Sequence, residues 1–158
     1  MKDYNVQIRF TSPCLGNAKD KESGRFLFAR NLTDKILFLS TWHRSNMVMA
    51  SKLLSSHQDA VKKIHWDTAI DVELREKRWH RVYYKNAVGR ERYSVHESIV
   101  PGQIATIAFV LPTGFLPDVF VQLMTIAGKY KGLSPWKPGE YGHYEVVDVF
   151  ERQNKTSD

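Results

Sequence analysis

An α+β sandwich, with an antiparallel sheet, two helices and an extra β-hairpin, is the fold class this sequence predicts. Three observations lead there: apolar alternation of period two recurs in short segments, the period lengthens to three and four residues in two places, and no run of Pro, Gly or Ser divides the chain. At 158 residues the chain suits one domain with a proper core, expected over 1–150.

Val6, Ile8 and Phe10 alternate with polar neighbours, so a half-buried strand is expected over 4–11. Gly16, Asn17, Asp20, Ser23 and Gly24 read as a turn or solvated loop. Phe26, Phe28, Ile36 and Phe38 then face inward in a hairpin folded around 31–35. Met47, Ala50, Leu54, His57, Val61 and Ile64 recur at helical steps, which predicts a first helix over 42–64 with His57 as a hydrogen-bonded core imidazole. Thr68, Ile70, Val72 and Leu74 alternate with Asp67, Ala69, Asp71 and Glu73, giving a strand with an acidic outer face. Segments 78–84 and 90–95 flank the short loop 86–89, the pattern of a β-hairpin. After the turn at Pro101 and Gly102, the nearly continuous apolar run 104–111 predicts a central strand covered on both faces. Pro117 and Asp118 suit the first turn of a second helix, which buries Phe120, Leu123, Met124 and Ala127 and ends at Gly128 or Gly132. A last strand is expected over 144–150, followed by a frayed polar tail, 151–158. Without the hairpins the order is strand, helix, strand, strand, helix, strand: an elaborated ferredoxin-like, or split βαβ, sandwich.

Composition narrows the partners. Twenty-three Lys plus Arg against seventeen Asp plus Glu give a net charge of +6, which favours polyanions without requiring them. The single cysteine, Cys14, excludes an internal disulfide and reads as a buried structural thiol in a reducing compartment. No stretch reaches the roughly 18 consecutive apolar residues of a membrane span, and the start lacks a signal-peptide core, so a cytoplasmic protein with no membrane partner is expected. P-loop, G-x-S-x-G and H-E-x-x-H patterns are missing; no cofactor and no metal are expected, since His65 with Asp67 supplies too few ligands.

The segment 128–143 combines Gly128, Gly132, Gly139 and Gly142 with Lys129, Lys131 and Lys137 and with the rings of Tyr130, Trp136, Tyr141 and His143. Glycine admits close backbone approach, lysine attracts phosphate, and flat rings stack on bases, a combination that points to RNA or single-stranded DNA. Trp136 and Tyr141 either stack on bases or fold the loop back on the sheet. Arg78, Arg81, Arg90 and Arg92, set among Trp79, Tyr83, Tyr84 and Tyr93, make the hairpin a second basic and aromatic surface, unless they neutralise the acidic strand.

The run Ile99-Val100-Pro101-Gly102, a long apolar strand, a helix, and a Gly-rich loop ending Gly139-Glu140-Tyr141-Gly142-His143 before a final strand resemble the RAMP superfamily of CRISPR RNA-binding proteins. The opening Gln7-Ile8-Arg9-Phe10-Thr11-Ser12-Pro13-Cys14-Leu15-Gly16 is similar to the first strand of small phage-encoded proteins with such a C-terminal end. The resemblance implies a ferredoxin-like domain whose Gly-rich loop lies against the backbone of single-stranded or structured RNA. Pro135 and Pro138 depart from the usual loop and remove two backbone donors. It also implies, by analogy with the RNA-cleaving branch, a candidate catalytic histidine at His43, with Arg44 beside it to steady a phosphorane. Three functions follow in rank: a non-catalytic RNA-binding protein, a phage inhibitor that binds a bacterial CRISPR defence complex, and a metal-independent RNA endonuclease.

Overall fold

The computed structural model describes residues 2–74 and 76–152. In chain order the elements are β1 (Lys2–Phe10), β2 (Cys14–Leu15), β3 (Ala18–Lys19), β4 (Phe26–Leu27), β5 (Ile36–Leu37), α1 (Ser40–Leu54), α2 (Gln58–Val61), β6 (His65–Val72), β7 (Arg78–Lys85), β8 (Glu91–Ile99), β9 (Ile104–Leu111), α3 (Pro117–Tyr130) and β10 (Tyr144–Glu151). The main sheet runs β10-β1-β9-β6-β5 with every neighbour antiparallel. Its β1-α1-β6-β9-α3-β10 frame fits the split βαβ order, because each helix joins two strands that hold a third between them. A second sheet, β2-β8-β4-β3, carries β7 on the free side of β8.

Tyr4, Val6, Ile8 and Phe10 of β1 and Ala105, Ile107, Phe109 and Leu111 of β9 point to one face of the main sheet. They meet Met47 and Ala50 of α1 and Phe120, Leu123, Met124 and Ala127 of α3, all fully buried. The rings of Phe109 and Phe120 stack with centroids 4.1 Å apart, which fixes α3 against the middle strand.

Several expectations are corrected. The first helix does not run to residue 64: Ser55 turns left-handed at φ 53°, and the N–H groups of Ser55 and Ser56 cap back on the carbonyls of Lys52 and Ser51. His57, also left-handed, is exposed instead of lying in the core, while Val61 reaches the core from the separate short turn α2. Strand β9 is central but covered on one face only, since Thr106, Ala108 and Val110 are half-buried on the other. In β6 the register against β9 shifts between Trp66 and Ile70, so these two are buried and Thr68 is exposed. The hairpin around 31–35 forms its turn, with Asn31 N–H donating to Lys35 O, but its arms enter different sheets: β4 pairs with β3 and β8, and β5 with β6. The segment 16–25, expected as a loop, contributes the short strand β3. Helix α3 continues through Gly128, where an added Cβ would fall 2.3 Å from the Tyr144 carbonyl oxygen, and ends at the other expected glycine, Gly132, whose φ is 80° and whose N–H donates to Ala127 O. Of the expected tail, Glu151 belongs to β10, Arg152 N–H donates to Asp3 O, and 153–158 lie outside the described residues.

The place where those arms diverge is held by charge. Glu97 of β8, buried, accepts from the Phe28 N–H at 3.0 Å and from both terminal nitrogens of Arg30. Burial pushes the Glu97 carboxyl up, but the Arg30 guanidinium and the Phe28 N–H outweigh it and hold the group below the usual carboxylate range. Glu97→Ala would leave the Phe28 N–H unpaired and a mostly buried guanidinium with only the exposed Asp34 carboxylate, 3.5 Å away, as its counter-charge, with an expected cost of about 3–5 kcal/mol in urea unfolding. Because the folded carboxyl is the stronger acid, this contribution is present above the ordinary carboxylate value and declines as the pH falls through it. Acid titration of wild type and Glu97→Gln should therefore converge at low pH.

Candidate nucleic-acid interface

Across β7 and β8, residues directly opposite share a face. Trp79, Arg81, Tyr83 and Tyr93 stand on one, where the Arg81 guanidinium lies 4.9 Å from the Tyr93 centroid and the Tyr83 and Tyr93 rings are 6.0 Å apart. Arg25, expected in a solvated loop, reaches this face with its guanidinium 4.5 Å from the Trp79 centroid. The rings remain accessible, Trp79 at 39%, Tyr93 at 52% and Tyr83 at 68%. Local sequence holds no signal for Arg25, because it arrives only when β4 docks beside β8.

The four hairpin arginines are therefore divided. Arg81 belongs to the aromatic face, Arg78 and Arg92 to the opposite one, and Arg90 to the turn, whose N–H donates to Asn86 Oδ1. Arg78 pairs with Glu76 at 2.9 Å, whereas Arg81, Arg90 and Arg92 have no ion-pair partner among the described residues. The acidic strand finds its cation elsewhere, Asp71 pairing with Lys35 at 2.8 Å. Asp71 of that strand is thus neutralised from outside the hairpin.

The Gly-rich loop is closed on itself. Gly132 and Gly142, at φ 80° and 76°, face one another so tightly that a Cβ on Gly142 would sit 2.4 Å from Leu133 O. Leu133 N–H donates to Gly142 O, Gly142 N–H to Pro13 O, Gly139 N–H to Lys131 O and Trp136 N–H to Leu15 O. Close backbone approach thus serves the loop's own strands, and these donors are not aimed at a ligand. Trp136 is half-buried, its ring 4.5 Å from His96 and 5.1 Å from Phe26, so it anchors the loop instead of offering a free face. Tyr141 meets His80 edge-on at 5.7 Å, which joins the loop to the base of the hairpin. Both ring nitrogens of His143 lie near carbonyls, of Gly128 and of Gly139. The lysines separate: Lys131 donates to Ser45 on α1, Lys129 lies 5.4 Å from the Tyr130 ring, and Lys137 stands exposed.

His43 is buried at 1% exposure and stacked 4.5 Å from Trp66. Neither ring nitrogen has a partner among the described residues, and burial pushes its pKa down to about 3. A base with no route to solvent does not reach a ribose hydroxyl, so the geometry lends the catalytic role no support. His96 is likewise held neutral mainly by burial, its Nδ1 donating to Gly16 O and its Nε2 accepting from Ser94 Oγ.

No family model and no curated protein matches this sequence. Among solved structures, it is similar to a chain in the cryo-EM structure of the Type III-B Cmr-beta bound to cognate target RNA, with a TM-score of 0.67 and 11% identity. The match covers 95% of this chain and 60% of that one, so this chain spans about three fifths of its length. At that identity the likeness is one of fold. Among the described residues, no helix is long and apolar enough to cross a membrane.

Gly142→Ala should destabilise the loop by more than about 1 kcal/mol, seen as faster amide exchange at Leu133 and Gly142, because both the φ and the contact forbid a Cβ. His43 should show no imidazole titration by NMR between pH 5 and 8. Its unfolded form binds the proton more readily, so it should make stability fall as the pH drops from 6.5 towards 3, with a slope up to about 1.4 kcal/mol per pH unit.

Proposed function

We propose that this chain is a RAMP-like, non-catalytic RNA-binding protein that works in the cytoplasm as one unit over residues 1–150. The observation that carries the reading is the exposed cation and ring array of Arg25, Trp79, Arg81, Tyr83 and Tyr93. Guanidinium groups on ring faces leave charge beside flat apolar surface, the pairing that suits phosphate and unstacked bases together. Arg90 in the hairpin turn and Arg92 on the opposite face, with Lys129 and Lys137 towards the loop, add positive charge around the array for the RNA backbone. The fold likeness to a chain of an RNA-bound complex agrees with this choice of polyanion but does not carry it.

Alternatively, in a phage-encoded inhibitor of a host CRISPR complex, the same rings and arginines would form a protein contact. Aromatic residues and arginine are also the residues most enriched at the centres of protein interfaces.

Fluorescence anisotropy with unstructured single-stranded RNA at two salt concentrations separates the two. The RNA reading predicts that log affinity falls against log salt by about 0.7 per phosphate neutralised. Trp79→Ala and Tyr93→Ala should each weaken binding by about 5- to 150-fold, the loss of roughly 1–3 kcal/mol per stacked base. Binding that is absent even at low salt would transfer the surface to the protein-partner reading.

A further inference from the structure

Among the outer strands of the described residues, two are long, β10 beyond β1 and β7 beyond β8, whereas β3 and β5 have two residues each. An unpaired edge presents a row of backbone N–H and C=O groups to any strand that can lie alongside, and charge on the edge commonly prevents this. Here the two edges carry opposite charge. β10 exposes Asp148 and Glu151, neither in an ion pair among the described residues, while β7 exposes Arg78 and Arg81. An antiparallel alignment that sets Arg81 opposite Asp148 also sets Arg78 opposite Glu151 and Trp79 opposite Phe150, two rings each 39% exposed. All of these positions on β10 lie to one side of its bulge, where the register against β1 runs without a shift from Glu151 to Asp148.

We infer that copies of this chain associate head to tail, the β7 edge of one adding to the β10 edge of the next. The occupant is a second copy because each edge finds its complement on this same chain, and because like edges repel: β10 on β10 opposes carboxylates, and β7 on β7 opposes guanidinium groups. Two different patches make the contact heterologous, so it extends past a dimer unless the rotation closes a ring. The inference stands apart from RNA binding, although Trp79 and Arg81 belong to both surfaces.

Sedimentation velocity on the full chain without nucleic acid tests it. Wild type should sediment faster as concentration rises at low salt, and salt should abolish the effect. Asp148→Lys and Arg81→Glu should each stay monomeric, yet an equimolar mixture should regain concentration-dependent association, since the unchanged edges pair and the two exchanged charges complement each other. The double variant, with both charges exchanged, should regain concentration-dependent association. A wild type that remains monomeric at low salt throughout, or single variants that associate as wild type does, overturns the inference. Asp148→Lys lies off the hairpin, so its RNA affinity as a monomer reports on the RNA proposal independently.

Discussion

Much of this architecture depends on how closely two stretches of backbone pass at Gly132 and Gly142. A Cβ on either glycine would overlap the opposing main chain, at 2.4 to 2.6 Å. Only that approach lets Leu133 bond Gly142 and Gly142 bond Pro13, which ties the end of α3, the start of β10 and the exit from β1 into one knot. From the knot, Trp136 reaches back to Leu15 and packs on His96 of β8, so the loop helps to set the second sheet against the first. Cys14, whose thiol donates to Leu133 O at 3.1 Å, lies inside the same knot, where burial raises its pKa and withholds the thiolate.

Rigidity at the base has a consequence for the hairpin. Two buried polar groups on adjacent residues of β8, His96 on the Trp136 side and Glu97 on the Arg30 side, clamp the strand from both faces. Beyond the clamp β7 and β8 project together, and their rings and guanidinium groups stay in solvent. Exposed cation–ring contacts are worth only about 0.5–1 kcal/mol each, too little to explain the array as a source of stability. A surface that the fold does not need, on a strand pair the fold holds firmly, is suited to recognition.

Reading by period recovered the frame because each frame element buries one face. The stripe Phe120, Leu123, Met124 and Ala127 and the alternation Val6, Ile8, Phe10 are direct imprints of burial, and both are found as expected. Where backbone geometry overrides side-chain pattern, the reading failed. Val61 and Ile64 continue the helical spacing of Met47 and Ala50 and are buried, yet a left-handed turn at Ser55 separates them. The half-exposed second face of β9 was equally invisible, since Ala108 and Val110 are apolar whether or not a layer lies over them. In the loop, Gly132 and Gly142 admit backbone to backbone, a partner that composition does not specify.

Local chemistry thus determined which residues are apolar, which segments repeat at two or at 3.6, and where charge and rings gather, because these are written in neighbouring positions. Tertiary structure alone decided what those groups face. It carried Arg25 to Trp79, buried His43 against Trp66, turned Trp136 inward and Trp79 outward, and placed acidic and basic strands at opposite kinds of edge. Each of these outcomes depends on contacts between segments far apart in the chain, and the physical reason is that burial and pairing belong to the packed whole and not to any window of sequence.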